Sequence, residues 1–449
     1  MYKLIQDLCS FKTAIVSDEN RPLFNRISAE LPLSQLSIPS GQVFNGWVVP
    51  EHWTVKKAKL FKGDVEVFDG LSNTLGVGYY SNSFTGELSW DELRPHLVSN
   101  PDLVDGYMFH CMWQYRPWAA DWSFSMPHKV YETLGPGNYR VELETHREPG
   151  EMLIGIADIK GKSAKIIVFN SNNCHPHMAN DGFAGTAVLI RLMQWLETQD
   201  THYSYRLVIA PEHLGSVFYL RDLPQKEVNN LVGGIFEEMP GTMGALKATK
   251  TFNGDTKLDM AMANALEQYS KAHEIVPWRC GAGNDETVWE APGYEVPFIE
   301  LTRCEDQFAP YREYHSSLDT PELMDEAQLE ETLEIMKRTM FALENDAFVQ
   351  RNFDGLICLS NPEYDLYMER PDPTITKDLE ADAEKWGHLL DNMFRYMDGN
   401  MTILEIAQKH DLPFDRLHSY LKRFEEKKLV SLTFAEIERK IPHRVSGIS

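Results

Sequence analysis

Short apolar segments that end in polar residues alternate with helical patterns between residues 146 and 345. The segments AKIIVFNS, YRLVIAP and VGGIFEEM have the length and composition of buried strands, and helical patterns such as AGTAVLIRLMQWLETQ lie between them. Apolar strands separated by helices are typical of a sheet that helices cover on both faces. The sequence therefore predicts an α/β domain with a central, mostly parallel sheet. Ligands of such sheets bind at the carboxyl ends of the strands.

Four clusters of His, Asp or Glu follow these strands or lie in later loops. Their candidate metal ligands and acids are His175 and Asp181, then Glu212, then Glu238, and then His315. Imidazole and carboxylate leave a zinc ion Lewis acidic, as hydrolysis requires. One cluster alone is equally well explained by a loop with a helix cap, since Asp181 is a good capping residue. The four clusters together favour a hydrolytic metal site.

Neighbouring residues of a strand point to opposite faces of the sheet. At most one of the adjacent carboxylates Glu237 and Glu238 should therefore face the site, and we expect it to be Glu238.

The character of the chain changes in three other regions. Residues 39–145 hold short β-branched and aromatic segments broken by turn residues, which predicts an inserted, small β-rich domain. Residues 351–373 are rich in Pro and Asp and predict a linker. Residues 374–449 hold three helical patterns and a short strand, an order that resembles a winged helix-turn-helix. The α/β domain then comprises residues 1–38 and 146–350.

Five motifs follow His175 along the chain, and each contains one candidate site residue. In order, they are ANDGFAG, PEHLGS, EMPG, GNDETVWEAPGYEVP and HSSLDT. This order resembles that of the co-catalytic zinc aminopeptidases, the family that includes bacterial leucyl aminopeptidase and glutamate carboxypeptidase. The chain is more similar still to aminopeptidase-like proteins associated with surface-polysaccharide biosynthesis, in which an inserted β module and a terminal winged helix accompany the catalytic domain. That similarity extends over nearly the whole chain.

The resemblance implies a metal site with one or two zinc ions. Asp181 would bridge two ions, with His175 and Glu238 on one and His315 on the other. Glu212 would be the general base for a metal-bound water or a further ligand.

Asp285 would be a second catalytic acid, able to bind a free substrate amine, and its alternative role is to cap a turn or helix. This chain departs from the family pattern in three places. His213 stands where a second Glu is usual, His177 where an Asp is usual, and Glu238 where Asp is usual. The number of metal ions and the identity of the base therefore stay open.

The composition limits the compartment and the partners. A formal net charge of −24 argues against a chain that binds nucleic acid along its length. The N-terminal segment lacks the apolar core of a secretory signal, and no segment has the roughly 18 apolar residues of a membrane span. The six cysteines form no C-x-x-C pair, which fits reduced thiols. These features predict a cytoplasmic protein without a membrane partner.

Three functions compete. The first is an aminopeptidase and the second an amidohydrolase acting on an acylated or aminoacylated sugar, so we expect a peptide or amide substrate. The third is a non-catalytic regulator that acts through the winged helix, and intact candidate ligands argue against it. The C-terminal module has twelve Lys or Arg against thirteen Asp or Glu in residues 374–449. This balance favours contact with protein, or self-association, over DNA.

Overall fold

The computed structural model of the chain describes residues 1–110, 113–368 and 382–443. An eight-stranded sheet lies at its centre. From edge to edge its strands are Ser34–Pro39, Glu151–Ile159, Ser204–Ala210, Ile166–Asn172, Leu231–Glu237, Phe298–Thr302, Leu246–Thr249 and His273–Val276. The four strands from Ser204–Ala210 to Phe298–Thr302 run parallel, as predicted. The strands that flank this group run antiparallel to it, so the sheet as a whole is mixed.

Side chains of the parallel strands alternate between two hydrophobic cores on opposite faces of the sheet. Ile167 and Phe169 belong to one core, and Ile166 and Val168 belong to the other. Every residue of the strand Ile166–Asn172 is buried, because helices cover both faces. The helices of this region are Tyr2–Leu8, Asn20–Ser28, Gly185–Glu197, Leu214–Asp222, Gln225–Asn230, Lys257–Tyr269, Glu286–Trp289 and Glu326–Asn345.

A smaller antiparallel sheet lies in the insert, the segment between the strands Ser34–Pro39 and Glu151–Ile159. Its four strands are, in spatial order, Val65–Asp69, His52–Lys62, Asn138–Glu148 and Phe84–Ser89. Two short strand pairs and two helical turns complete the segment: Val43–Phe44 with Trp47–Val48, Leu97–Val98 with Phe124–Ser125, Trp90–Leu93 and His128–Tyr131. The insert has a hydrophobic core of its own. Its predicted limits, 39–145, stay a prediction.

The C-terminal elements form three helices and a three-stranded antiparallel sheet. The helices are Ala383–Tyr396, Ile403–Lys409 and Phe414–Glu426, and the strands are, in spatial order, Asp398–Thr402, Ala347–Arg351 and Val430–Phe434. The middle strand directly follows the helix Glu326–Asn345. The winged helix and its limits, 374–449, stay predictions. Residues 369–373 of the predicted linker 351–373 lie outside the described residues.

The C-terminal elements share one hydrophobic core with the α/β region. Met336 of the long helix lies in the same cluster as Leu389 of the C-terminal region. Asn264 joins the two parts through hydrogen bonds to Leu412 O (2.9 Å) and from Phe414 N (3.0 Å). Over the described ranges, no helix combines the length and the apolar composition that crossing a membrane requires.

Candidate metal centre

The loop after the strand Ile166–Asn172 brings His175 and Asp181 to the carboxyl edge of the sheet. Asp181 and Gly182 interrupt the helical backbone, with φ/ψ values of −80°/58° and 132°/−60°. Glycine is required at position 182 because an L side chain rarely adopts this φ, and a Cβ there would lie 2.2 Å from Met178 Cε. The turn directs the Asp181 carboxylate toward His175.

Three predicted ligands converge at this point. His175 Nε2 lies 3.1 Å from Asp181 Oδ2, and His315 Nε2 lies 3.3 Å from the same oxygen. One ligand atom from each residue lies within 4.8 Å of the others. Ligand bonds of about 2.0–2.2 Å to zinc are compatible with that separation. His175, Asp181 and His315 are therefore a candidate site for one metal ion.

Different contacts set the protonation of the two histidine rings. His175 Nδ1 donates to Pro176 O at 2.8 Å, so the neutral ring presents the lone pair of Nε2 to the site. Burial opposes protonation of His175, but its contact with Asp181 raises its pKa. For His315, burial dominates and lowers the pKa to about 4, against the opposing charge of Asp181. His315 is therefore neutral at pH 7, as metal ligation requires.

Asp319 holds the Asp181 loop in place. It accepts hydrogen bonds from Asn180 N (2.9 Å), Asp181 N (3.1 Å) and Tyr311 Oη (2.8 Å). Burial raises the pKa of Asp319 to about 7, although the hydrogen bond from Asn180 opposes that rise. The sequence places Asp319 in the same cluster as His315 but assigns it no role. Its contacts make it a positioning residue for Asp181.

Glu238 lies beyond the strand Leu231–Glu237 and is 1% exposed. Its Oε2 accepts from Asn284 Nδ2 at 3.0 Å, and its Oε1 has no hydrogen-bond partner among the described residues. Burial, then the charges of Glu300, Asp181 and other acids, raises its pKa. Glu238 lies outside the compact group of three ligands, although its free oxygen and its interaction with Asp181 mark it as the next available donor.

Glu237 has different surroundings from Glu238. It is fully buried, and neither of its carboxylate oxygens has a hydrogen-bond partner in the described ranges. Burial raises its pKa, and the charge of Arg303 opposes this. Glu300 acts on both carboxylates, but Glu237 also interacts with Arg303, whereas Glu238 also interacts with Asp181 and Glu212. This difference agrees with the alternation of a strand, with one carboxylate on the site's side.

Glu212 lies near the candidate metal ligands and contacts the insert. Its Oε2 accepts from Tyr115 Oη at 3.1 Å. Burial raises the pKa of Glu212, and the charges of Asp285 and Asp181 add to the effect, while His213 opposes it. Three carboxylates, Asp181, Glu212 and Glu238, thus interact unfavourably within one buried region. A bound cation would balance this charge.

Asp285 lies apart from the ligand group and holds the turn after Glu212. Its Oδ1 accepts from His213 N (2.5 Å) and His213 Nδ1 (3.1 Å), and its Oδ2 accepts from Ser216 Oγ (2.8 Å). Its side chain is fully buried. Burial alone would lower the pKa of His213, but Asp285 and Glu212 outweigh it and raise the pKa to about 9. His213 has a φ of 54°, a strained value that this contact stabilises.

Two aromatic residues of the insert reach the site, and neither is among the predicted site residues. Tyr115 bonds Glu212, and the Phe109 ring stacks on His175 with a centroid distance of 4.1 Å. Both belong to an aromatic-rich segment in which Trp122 packs against Phe84 inside the insert. No signal in the sequence distinguishes the rings that reach the site from those that pack the insert.

The chain has a mixed α/β fold, a central sheet covered by helices with His and Asp side chains at the carboxyl edge of its parallel strands, and this fold is similar to that of solved peptidase structures. More narrowly, the chain belongs to the DUF4910 family, a domain of unknown function whose family model matches residues 2–346. A Clostridium acetobutylicum protein is 27% identical over 351 residues, which are 77% of this chain and 78% of that protein. Its name describes a candidate polysaccharide biosynthesis protein with an aminopeptidase-like domain.

Solved structures share the fold. A candidate peptidase from Clostridium acetobutylicum has a TM-score of 0.78 at 24% identity, with 96% of both chains covered. BSAP, a zinc aminopeptidase from Bacillus subtilis, has a TM-score of 0.56 at 13% identity, with 76% of this chain and 93% of that chain covered. An aminopeptidase from Aneurinibacillus sp. strain AM-1 has a TM-score of 0.51 at 16% identity, with 76% and 92% covered.

Proposed function

We propose that this protein is a zinc-dependent hydrolase of amide bonds and acts as an aminopeptidase. The observation that carries the proposal is the convergence of His175, Asp181 and His315 at the carboxyl edge of the parallel strands. A solved structure with the same fold is a zinc aminopeptidase, which supports the choice of metal and of reaction class.

The donor set suits zinc. Two imidazoles and one carboxylate are a frequent ligand set of catalytic zinc, which keeps a further position for water. His175, Asp181 and His315 would hold the ion, and the free oxygen of Glu238 would be the next donor. When bound there, zinc lowers the pKa of a water molecule and polarises the scissile carbonyl.

We propose one tightly held ion, because the described ligands converge as a single group. A second ion, as the family resemblance implies, would need donors such as Glu212 or His213. The His213 ring donates to Asp285 through Nδ1 at 3.1 Å, and His213 lies outside the compact group formed by His175, Asp181 and His315.

Glu212 is the proposed general base. Tyr115 occupies its Oε2, which leaves Oε1 to take a proton and deliver it to the leaving nitrogen. Partial burial raises the pKa of the Glu212 carboxyl, which makes its carboxylate a stronger base. Asp285, bound to His213 and Ser216, acts in this proposal by fixing the turn that carries Glu212 and not by binding a substrate amine.

An amidohydrolase acting on an acylated or aminoacylated sugar is the second candidate. It would use the same metal ligands and the same base, and it would differ in the groups that bind beyond the scissile amide. The name of the Clostridium acetobutylicum relative, which refers to polysaccharide biosynthesis, favours this alternative.

For the C-terminal module we propose contact with protein or self-association instead of DNA binding. Basic groups of the helix Phe414–Glu426 are engaged by the chain itself: Arg423 donates to Asp365 O, and Lys422 pairs with Glu425. Phosphates would have to displace such contacts. If the module does bind DNA, the affinity of the full chain for duplex DNA will fall steeply with salt.

Metal content and a substrate screen test the enzymatic proposal. Wild-type protein should hold about one zinc ion, and His315→Ala should lose most of it, whereas His388→Ala, on an exposed helix position, should retain it. Aminoacyl anilides, short peptides and acyl-sugar amides should be compared before and after chelation and zinc restoration. Zinc-dependent release of N-terminal residues supports the aminopeptidase, and cleavage of acyl-sugar amides alone supports the alternative. Wild-type protein without zinc affinity would reject both.

A further inference from the structure

The insert is joined to the loop that carries His315. Met108 and Ser316 form an antiparallel β-bridge, and Phe109 N donates to His315 O at 2.7 Å. Two further hydrogen bonds, of 2.8 and 3.0 Å, connect the same two segments. The backbone of His315, which has a φ of 51°, is thus held by the insert and not by its own neighbours alone.

The Phe109 side chain contacts both histidine ligands. Its ring lies 4.1 Å from the His175 ring at an interplanar angle of 24°, and 5.2 Å from the His315 ring at 87°. The two imidazoles are themselves perpendicular, at 87°, with centroids 5.2 Å apart. Phe109 is only 7% exposed, so one buried ring packs against both ligands.

This packing restricts rotation of the two imidazole rings, which determines whether their Nε2 atoms can bind a metal ion. Rotation about the bond between Cβ and the imidazole ring has broad, shallow minima, so a ligand histidine needs outside contacts to keep its Nε2 directed at the metal. For His175 the hydrogen bond to Pro176 O fixes one edge of the ring, and Phe109 covers its face. For His315, Phe109 supplies both an edge contact and a backbone hydrogen bond.

We propose that Phe109 is a positioning residue that orients His175 and His315, so that the insert sets the metal affinity of the α/β domain. The inference rests on the proposed metal site but not on the proposed hydrolysis. Groups that orient metal ligands typically change metal affinity by about 10–100-fold when they are removed. We expect a loss of that size for Phe109→Ala.

Zinc affinity of the full-length chain, measured by competition with a chromophoric chelator, is the primary test. Phe109→Leu is the second variant, because it keeps apolar volume while removing the ring and so reduces the risk of misfolding. Phe109→Tyr keeps the ring and should retain most of the affinity. Cobalt substitution adds a spectroscopic test, since the visible absorption of bound Co²⁺ depends on ligand geometry and should change in Phe109→Leu.

Phe84→Ala is the matched control. Phe84 is also an aromatic residue of the insert, and its ring stacks on Trp122 at 4.9 Å. The control should lower the melting temperature of the metal-free protein as Phe109→Ala does, but it should leave zinc affinity unchanged.

Four outcomes separate the possibilities. A loss of affinity in Phe109→Ala and Phe109→Leu, with retention in Phe84→Ala, supports the inference. Unchanged affinity in the Phe109 variants, or an equal loss in the Phe84 control, overturns it and leaves the metal site intact. Wild-type protein that binds no zinc overturns the inference together with the proposed function. Tight zinc binding without hydrolysis of any substrate overturns only the proposed activity, since the affinities still decide the role of Phe109.

Discussion

Replacing Asp285 by asparagine distinguishes a residue that holds the scaffold from one that binds substrate. Asp285 accepts two hydrogen bonds from His213, at 2.5 and 3.1 Å, and one from Ser216 at 2.8 Å. Asparagine keeps the size and one acceptor oxygen but removes the negative charge. Ser216 retains a partner in the variant, because its Oγ also lies 3.1 Å from Asn170 Oδ1. The main loss therefore falls on the contacts with His213.

The expected cost follows from those two contacts. A hydrogen bond to a charged group contributes about 1.5–3 kcal/mol, against about 0.5–1.5 kcal/mol for a neutral pair. Converting both contacts of His213 from charged to neutral should therefore lower the free energy of unfolding by about 2 kcal/mol. This is a substantial share of the roughly 5–15 kcal/mol that stabilises a typical domain.

The effect should depend on pH in one direction. The folded-state pKa of His213 is raised from 6.5 to about 9, so its contribution is fully present below pH 6.5 and is lost as the pH rises through about 9. The shift corresponds to at most about 3 kcal/mol, and because the ring is 27% exposed solvent screening reduces this to about 1–2 kcal/mol. The difference in stability between wild type and Asp285→Asn should therefore shrink across this interval.

Urea unfolding of the zinc-free proteins, followed by tryptophan fluorescence at several pH values, measures this difference. A difference below about 0.5 kcal/mol at pH 6.5, or one that stays constant up to pH 9, would refute the scaffold role. A near-normal stability combined with a raised KM for substrates that carry a free amine would instead assign Asp285 to amine binding.

Three further predictions follow from other contacts. Glu212→Gln should retain zinc and lose about 10²–10⁴ in rate if Glu212 is the base, whereas loss of zinc in elemental analysis would make Glu212 a ligand. Tyr115→Phe removes the donor to Glu212 Oε2 and should lower kcat by about tenfold, which corresponds to roughly 1.4 kcal/mol, without changing the zinc content. The control is Tyr131→Phe, since Tyr131 packs on Trp90 inside the insert. Equal kcat values for the two variants would contradict a role of Tyr115 in catalysis. Removing residues after 372 deprives the strand Ala347–Arg351 of both its partners, so the truncated chain should melt at a lower temperature, and an unchanged melting curve would contradict that expectation.

Most of the candidate metal ligands could be predicted because they lie where a regular element ends. His175, Asp181 and Glu238 follow buried strands of the parallel group, and the carboxyl ends of parallel strands meet at one edge of the sheet. His315 is less clearly indicated by the pattern, because a loop separates it from the end of the strand Phe298–Thr302. Its role as a ligand is implied by the family resemblance. Three of the predicted ligands do converge.

The remaining features depend on tertiary contacts that leave no local pattern. Strands that are buried on both faces have similar sequences whether they run parallel or antiparallel to their neighbours. The sequence of the strand Leu246–Thr249 therefore does not indicate that it runs antiparallel to Phe298–Thr302. Phe109 reaches His175 only because the insert folds back over the α/β domain. Likewise, the sequence does not indicate that Asp285 accepts hydrogen bonds from His213 and Ser216, because these contacts form only in the folded turn.

The position of the strand Ala347–Arg351 between two later strands has a consequence for synthesis on the ribosome. Its partners are Asp398–Thr402 and Val430–Phe434, so this sheet cannot close until translation has passed residue 434. Until then, apolar side chains of the preceding helix lack partners in the C-terminal region, as Phe341 lacks the ring of Phe414 that later packs against it. Nascent chains interrupted upstream would keep this surface exposed and be recognised by chaperones and proteases. A nonsense mutation late in the coding sequence, far from every candidate metal ligand, should therefore reduce the amount of protein in the cell.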